Sequence, residues 1–436
     1  MNLKTFKQGV HPPELKQKTE EKQVERPPLP QEVYIPLNQH IGSPCQPVVE
    51  KGEEVKTGQV IGEGEGFVTS TIHASISGEV KEIRQFPAPD GTTPVMVHIE
   101  SDEKDTKIKD WKEEDWHELD IEVLKNRIAQ AGIVGLGGAS FPTQVKVSPP
   151  EDKSIDTYIV NGCECEPYLT ADHRIMLEFS DKLLQGIQIM QKILGVKNVT
   201  IGIEDNKSAP LELLREKTQQ ENEISVQALE TKYPQGAEKN LIDALLGRKV
   251  PAGGLPLDVG VVVNNVGTIV ATRDAVIKNK PLIERVVTVT GQGIQEPKNV
   301  IARIGTQFKN LIEYCGGLTP DTKKVIDGGP MMGVAQHTLD VPLTKGTSGI
   351  LALTQEETER EPEYNCIRCG ACVKHCPMNL LPTRIVSMID NDYIEKAEEL
   401  GALNCMECGS CAYVCPSNIP LVQKIKVGKQ LINDRD

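Results

Sequence analysis

Eight cysteines near the end of the chain fall into two copies of one phrase. Cys366, Cys369, Cys372 and Cys376, followed by Pro377, read C-x2-C-x2-C-x3-C-P, and Cys405, Cys408, Cys411, Cys415 and Pro416 repeat it at the same spacing. Thiolates so spaced wrap three corners of an iron–sulfur cubane on one turn of backbone, and the fourth corner needs a ligand from farther away. Zinc sites take four ligands in two pairs. Disulfide frameworks belong to small secreted domains, not to a chain of 436 residues. The spacing points to one-electron traffic through two [4Fe–4S] clusters.

The runs resemble those of two-cluster ferredoxins, where the fourth Cys of each run ligates the other cluster. That resemblance pairs Cys366, Cys369 and Cys372 with Cys415, and Cys405, Cys408 and Cys411 with Cys376.

A second group of residues lies in the middle of the chain. The stretch from Gly132 to Thr143 reads GIVGLGGASFPT. Bare glycine amides can approach a phosphate or a flat ring and form an anion nest. The loop follows a helical pattern and not a strand, so it is not the dinucleotide fingerprint, and alone it reads equally as a tight turn. Three stretches at or just after strand–helix junctions add to it: NGCECEP from Asn161, YPQGAE from Tyr233 and NNVGT from Asn264. Asparagine amides can pair with the carbonyl and imino edge of a flavin.

These four stretches resemble the FMN-carrying, NADH-oxidising subunit of respiratory complex I and of related bacterial dehydrogenases. That family runs G-R-G-G-A-G-F-P-T-G-x-K-W, V-N-x-D-E-x-E-P, Y-x-x-G-E-E and V-N-N-V-E-T. The resemblance implies that Gly135, Gly137, Gly138, Lys146, Asn161, Asn264, Asn265 and Thr268 hold FMN. It implies that Glu164, Glu166, Tyr233, Gly236 and Glu238 line the pocket, and that Phe141 stacks on the adenine of NAD(H). The chain departs at Leu136 for Arg, Ser140 for Gly, Val147 for Trp, Ala237 for Glu, Cys163 for Asp, and Pro149 for a second stacking aromatic. Those departures touch the nucleotide clamp more than the flavin site.

Nearly the whole chain is similar to one narrower family, the C subunit of the Rnf electron-transport complex. The signatures are FKQGVHPPE from Phe6, IPLNQHIG from Ile35, the stretch Asn161 to Asp172, DGGPMMG from Asp327, and the paired cysteine runs. This resemblance implies a soluble-ligand-binding β-grasp (SLBB) unit at about 285–335. It also implies a peripheral place on the cytoplasmic face of a membrane complex, beside subunits A, B, D, E and G. There NAD(H) would exchange hydride with FMN, and single electrons would pass through the clusters, with ferredoxin reached indirectly. Hydride transfer needs no side-chain base, so no catalytic residue is expected. Two other readings share these parts: a cobalamin reductase of a bacterial microcompartment, and a flavin-free electron-relay or assembly adaptor. A flavoprotein subunit of a soluble hydrogenase or formate dehydrogenase would bring a thioredoxin-like [2Fe–2S] part or a single C-terminal cluster, and neither is legible.

The elements that must position these residues give a multidomain α/β and α+β chain. Residues 1–30 are polar and Pro-rich and read as an extended arm without its own core. Residues 31–115 carry short β-branched runs broken by Gly and Pro. They resemble the barrel-sandwich of lipoyl carriers, but no Lys stands between Lys56 and Lys81 to take a cofactor. Alternating strand and helix patterns over 116–282 predict a largely parallel sheet for the FMN/NADH-binding domain, including one long helix over about 172–194. The β-grasp unit is expected over 283–350 and the ferredoxin-like domain over 356–430.

The remaining cysteines and histidines take plainer readings. Cys163 and Cys165 read as small residues in a tight loop, and Cys45 and Cys315 as packing residues. His11, His40 and His73 lack ligand spacing, and Met331-Met332 reads as turn packing. A net charge of −14 argues against nucleic acid as a partner. No apolar run approaches the roughly 20 residues that span a bilayer, so membrane attachment is expected only through partners.

Overall fold

The four strands of the central domain hydrogen-bond in the order Ile224–Leu229, Asn198–Glu204, Thr157–Asn161, Val261–Asn265, all parallel. The chain starts inside the sheet, steps outward twice, then crosses back to the other side. The direction of winding therefore reverses between Thr157–Asn161 and Val261–Asn265. At such a switch point the two flanking loops part and leave a crevice beyond the carboxyl ends of the strands. The register sets Asn161 directly opposite Asn265 at that edge. The computed structural model describes every residue except Met1, Asn2, Glu151, Arg360 and Asp436.

These strands are Val- and Ile-rich because both faces are covered. One face carries the helices Ile121–Gln130, Ser180–Leu194 and Val266–Lys278, and the other packs Leu241, Ile242 and Leu245 of the helix Glu238–Leu246. Gly186 lets two helices meet closely, for a Cβ there would stand 2.6 Å from the Ile269 backbone oxygen. The single helix expected over about 172–194 is two, Ala171–Glu178 and Ser180–Leu194. Phe179 leaves helical geometry between them at φ −119° and ψ 25°. Ser180 and Asp181 follow it, residue types that favour helix starts.

The β-grasp sheet runs Val24–Glu25, Lys298–Arg303, Glu284–Thr290, Gly349–Thr354, Thr322–Asp327, Val334–Ala335. Phe308, Leu311 and Ile312 of its helix bury against Val287, Val289 and Val300. The strand Gly349–Thr354 passes through residue 350, where the sequence pattern placed a boundary. The barrel-sandwich packs a four-stranded sheet on a three-stranded one around Val33, Ile35, Ile61, Ile72, Ile76, Val97 and Ile99.

The amino-terminal arm is a strap with buried anchors. Phe6, Val10, Lys16 and Thr19 are all buried, and Val24–Glu25 extends the grasp sheet. Burying one Phe side chain contributes about 1.5–3 kcal/mol, against about 1–2 kcal/mol per ordered residue, so the strap depends on all its anchors and on its strand pairing together.

The cysteine runs repeat in backbone as well as in sequence. Arg368 and Glu407, Gly370 and Gly409, and Asn379 and Asn418 occupy equivalent places and all take positive φ. Each run leads into a short helix, Ala371–Lys374 or Ser410–Tyr413, and a small apolar core with Ile385, Leu421 and Ile425 supports both. No helix among the described residues is long and apolar enough to cross a membrane.

Candidate flavin and iron–sulfur sites

The glycine-rich loop folds back over the crevice. Gly135 N–H donates to the Phe141 carbonyl at 2.9 Å, and Leu136 N–H donates to Thr268 Oγ1 at 2.9 Å. Gly137 must lack a side chain, since a Cβ would come within 2.7 Å of Asn265 Nδ2. Gly138 is different. A Cβ there would meet nothing within 4 Å, so its side of the loop faces open space.

Two asparagines at the strand ends are held by the protein, and a third is not. Asn161 donates to the Gly236 carbonyl at 2.7 Å and accepts from Cys163 N–H at 3.2 Å. Asn265 caps the helix Val266–Lys278 by accepting from Gly267 N–H, and donates to Asp172 Oδ2. Asn264 is 3% exposed, and neither end of its amide has a partner among the described residues. Gln235, fully buried one residue before Gly236, also has both amide atoms unpaired among the described residues. Each such group costs about 1–3 kcal/mol unless something pairs with it. A planar ring with alternating donors and acceptors fits that need. A phosphate fits the nearby helix amino end and the Gly137–Ala139 amides, which carry partial positive charge.

The acidic residues behave differently from the amides. The Glu164 carboxylate accepts from Asp172 N–H at 2.7 Å and His173 N–H at 3.1 Å, at the start of a helix. Glu166 accepts from Met331 N–H at 3.1 Å and Met332 N–H at 2.9 Å, tying the loop to the β-grasp unit. Burial pushes its carboxyl up to about 7, against the pull of those two amides. Lys146 pairs with Glu238 and donates to the Val263 carbonyl at 3.0 Å. Phe141 is half-buried. The Cys163 and Cys165 thiols are pushed up by burial and stay protonated.

Four cysteine side chains, Cys376, Cys405, Cys408 and Cys411, line one small cavity. They surround a space and do not converge on a point; among the described residues no three His, Cys, Asp or Glu are placed around a single metal ion. Backbone amides already aim at sulfur: Glu407 N–H at Cys405 and Leu380 N–H at Cys376, each at 3.4 Å. Cys366 and Cys369 are exposed at the other run, while Cys372 is buried and Cys415 half-buried. Tyr233 connects the two regions. Its ring is 1% exposed, and its hydroxyl donates to the Cys408 carbonyl at 2.8 Å. Val10 of the strap and Met331 pack into the same contact.

Comparison with known proteins follows the same division. Residues 4–104 match the RnfC barrel sandwich hybrid domain, 128–274 the Nuo51 FMN-binding domain, 286–335 the SLBB domain and 365–419 the 4Fe-4S dicluster domain. The C subunit of the proton-translocating ferredoxin:NAD(+) oxidoreductase complex of Clostridium ljungdahlii is 50% identical over 91% of this chain and 87% of its own. Its counterpart in the Na(+)-translocating complex of Acetobacterium woodii is 46% identical over 99% and 98%. The chain belongs to the RnfC family. A chain of the NAD+-reducing [NiFe]-hydrogenase shares the fold at TM-score 0.51 and 18% identity, over 71% of this chain and 62% of that one.

In this RnfC-family chain several residues at the site carry no signal in the local sequence. Lys16 is buried in the strap, and its ammonium donates to the carbonyls of Glu164 at 3.0 Å, Glu166 at 2.9 Å and Leu169 at 2.5 Å. It fixes the loop that carries both glutamates. Arg285 donates to the carbonyls of Lys345 and Leu136, pinning the glycine loop to the β-grasp sheet. Asp172 orients Asn265. Of these, Asp172 closes one of the family signatures, but nothing near Lys16 or Arg285 in sequence says that either reaches the loop.

Proposed function

We propose that this chain is the NAD(H)-facing subunit of an ion-translocating ferredoxin:NAD oxidoreductase, joining hydride exchange to one-electron transfer. The relatives named above carry that activity in their names. The observation that carries the reading is the bond from Tyr233 to Cys408. It places one cysteine set against the loop that also supplies Gln235, Gly236 and Glu238. Bound FMN accepts two electrons as hydride and releases them singly, which nicotinamide cannot do.

The chain's own residues supply binding and insulation. Asn264 and Gln235 would pair their free amides with the flavin, beside Gly135, Gly137, Gly138, Asn161, Asn265 and Thr268. Phe141, half-buried, would meet the NAD(H) adenine. Cys376, Cys405, Cys408 and Cys411 would hold the cluster nearer the flavin. Cys366, Cys369, Cys372 and Cys415 would hold the outer one, where two exposed sulfurs suit delivery to a partner. That partner would lie among Rnf subunits A, B, D, E and G, with ferredoxin reached through them. The chain would sit on the cytoplasmic face of the membrane, held by those subunits.

The test is anaerobic stopped-flow with NADH on the purified protein. Flavin absorbance should bleach first, followed by the broad cluster absorbance, with about eight irons per chain if two cubanes are present. Failure of NADH to bleach the flavin would assign the departures at Leu136, Pro149 and Ala237 to a lost nucleotide site.

A further inference from the structure

A second cavity, of about 370 Å3, lies between the helix Val266–Lys278 and the β-grasp sheet. None of the residues proposed to hold flavin lines it. Its volume falls in the range of small-molecule sites. One wall is a helix stripe from Gly267 through Val270, Ala271 and Asp274 to Lys278, about 16 Å long at 1.5 Å per residue. Ile175 and Phe179 face this stripe from one side, and Val286 and Ile301 from the sheet.

The lining holds six cationic side chains and three carboxylates, in a chain whose net charge is −14. Glu284 pairs with both Arg26 and Lys280, Asp274 lies 4.0 Å from Lys182, and Lys278 reaches Glu113 outside the lining, which leaves the local charge net positive, opposite to the charge of the whole. The cations gather toward one end. Burial and the neighbouring Lys278 and Lys280 charges push the Lys182 ammonium down, while Asp274 partly offsets them. Trp111 stands at that end with the ammonium groups of Lys107 and Lys280 over its ring, at 5.2 and 5.8 Å. Its indole N–H is buried and has no acceptor among the described residues. A buried donor without a partner, next to excess positive charge and an apolar slot, wants an anionic oxygen on an apolar body.

We propose that this cavity binds a small amphipathic organic anion, its apolar body along Ile175, Val270 and Val286 and its carboxylate, sulfonate or phosphate oxygens at Trp111, Lys182 and Lys280. The site is separate from the flavin crevice, although Leu136 and Gly267 are shared walls through which occupancy would reach the glycine loop.

The experiment is calorimetric titration of the intact, flavin- and cluster-loaded protein with 1-naphthalenesulfonate, and with neutral 1-naphthalenemethanol as the uncharged match. One equivalent of the sulfonate should bind, about tenfold or more tighter than the alcohol, since hydrogen bonds to charge are the stronger kind. Ala271→Leu should remove the heat by filling the slot. Trp111→Phe, which keeps the ring and loses only the N–H, and Lys182→Gln should each weaken binding several-fold. Flavin and iron content serve as the folding control for every variant. The proposal is overturned if the sulfonate gives no heat, if the alcohol binds equally well, or if correctly loaded variants bind as the parent does. It is also overturned if saturating NADH displaces the sulfonate, for the cavity would then be part of the nucleotide site.

Discussion

The side-chain amide of Asn265 donates to Asp172 Oδ2 at 2.6 Å. That bond fixes which end of the asparagine faces the helix start and which faces the carboxyl. It also joins the crevice to a set of buried acids whose ionisation is unfavourable.

Burial raises Asp172, with the Glu164 charge adding to it, and burial raises Glu166 and Asp327 to about 7. A carboxyl whose folded pKa lies above its unfolded value of about 4 binds more protons when folded, so its contribution to stability falls as pH rises between the two values. Asp172→Asn keeps an acceptor for Asn265 and removes the ionisation. Its melting temperature relative to the parent should rise from about pH 5 to about pH 7, the upper part of that window. A difference that stays constant over that range in paired thermal scans would show that Asp172 does not titrate there.

Tyr233→Phe removes one hydroxyl and keeps the buried ring. The Cys408 carbonyl loses its partner, at a cost of about 0.5–1.5 kcal/mol in stability. Flavin and iron should remain at parental content, while electron passage from flavin to clusters slows. Stopped-flow traces at a flavin and a cluster wavelength separate the two steps. Unchanged cluster reduction in a fully loaded variant would rule out this contact as a determinant of transfer.

Cys376→Ala should remove the cluster assigned to Cys405, Cys408 and Cys411 and spare the other. Iron content should fall by about half under the crossed arrangement. The informative contrast is Cys415→Ala, which should spare the cluster that Cys376→Ala destroys. Paramagnetic resonance of the reduced variants would distinguish the two residual clusters; if each mutation removed the cluster of its own run, the crossed assignment would be wrong.

Gly138→Val and Gly137→Ala test the loop in different ways. The Gly137 change pushes into Asn265 and should destabilise the protein with or without flavin. A Cβ at Gly138 meets no atom of the described residues within 4 Å, so stability should hold while flavin is lost. Flavin content after gel filtration, beside a melting curve, reads both effects.

Lys16→Met leaves three backbone carbonyls without their donor. Each unpaired buried group costs about 1–3 kcal/mol, so the loop carrying Glu164 and Glu166 should loosen. Hydrogen exchange there should rise more than in the distant barrel-sandwich. Equal protection in the variant would show that the strap does not hold the loop.

Sequence alone determined the parts whose physics is local. Cysteine spacing acts within one turn of backbone, and the two runs were legible as cluster motifs without any fold. The alternation of strand and helix over 116–282 was legible too, because apolar periodicity lies inside each segment, as in Ile121–Gln130 and Glu238–Leu246. The break at Phe179 was not. Apolar periodicity runs on through a kink, so the pattern over 172–194 read as one helix. Tertiary structure alone decided which distant groups meet. Tyr233 reaches Cys408 across 175 positions of sequence, and Lys16 reaches Glu164 across 148. It also turned the Glu164 and Glu166 carboxylates onto backbone amides of Asp172, His173, Met331 and Met332. Those outcomes depend on how separately built units dock, and a buried donor takes whichever acceptor the docking brings within reach.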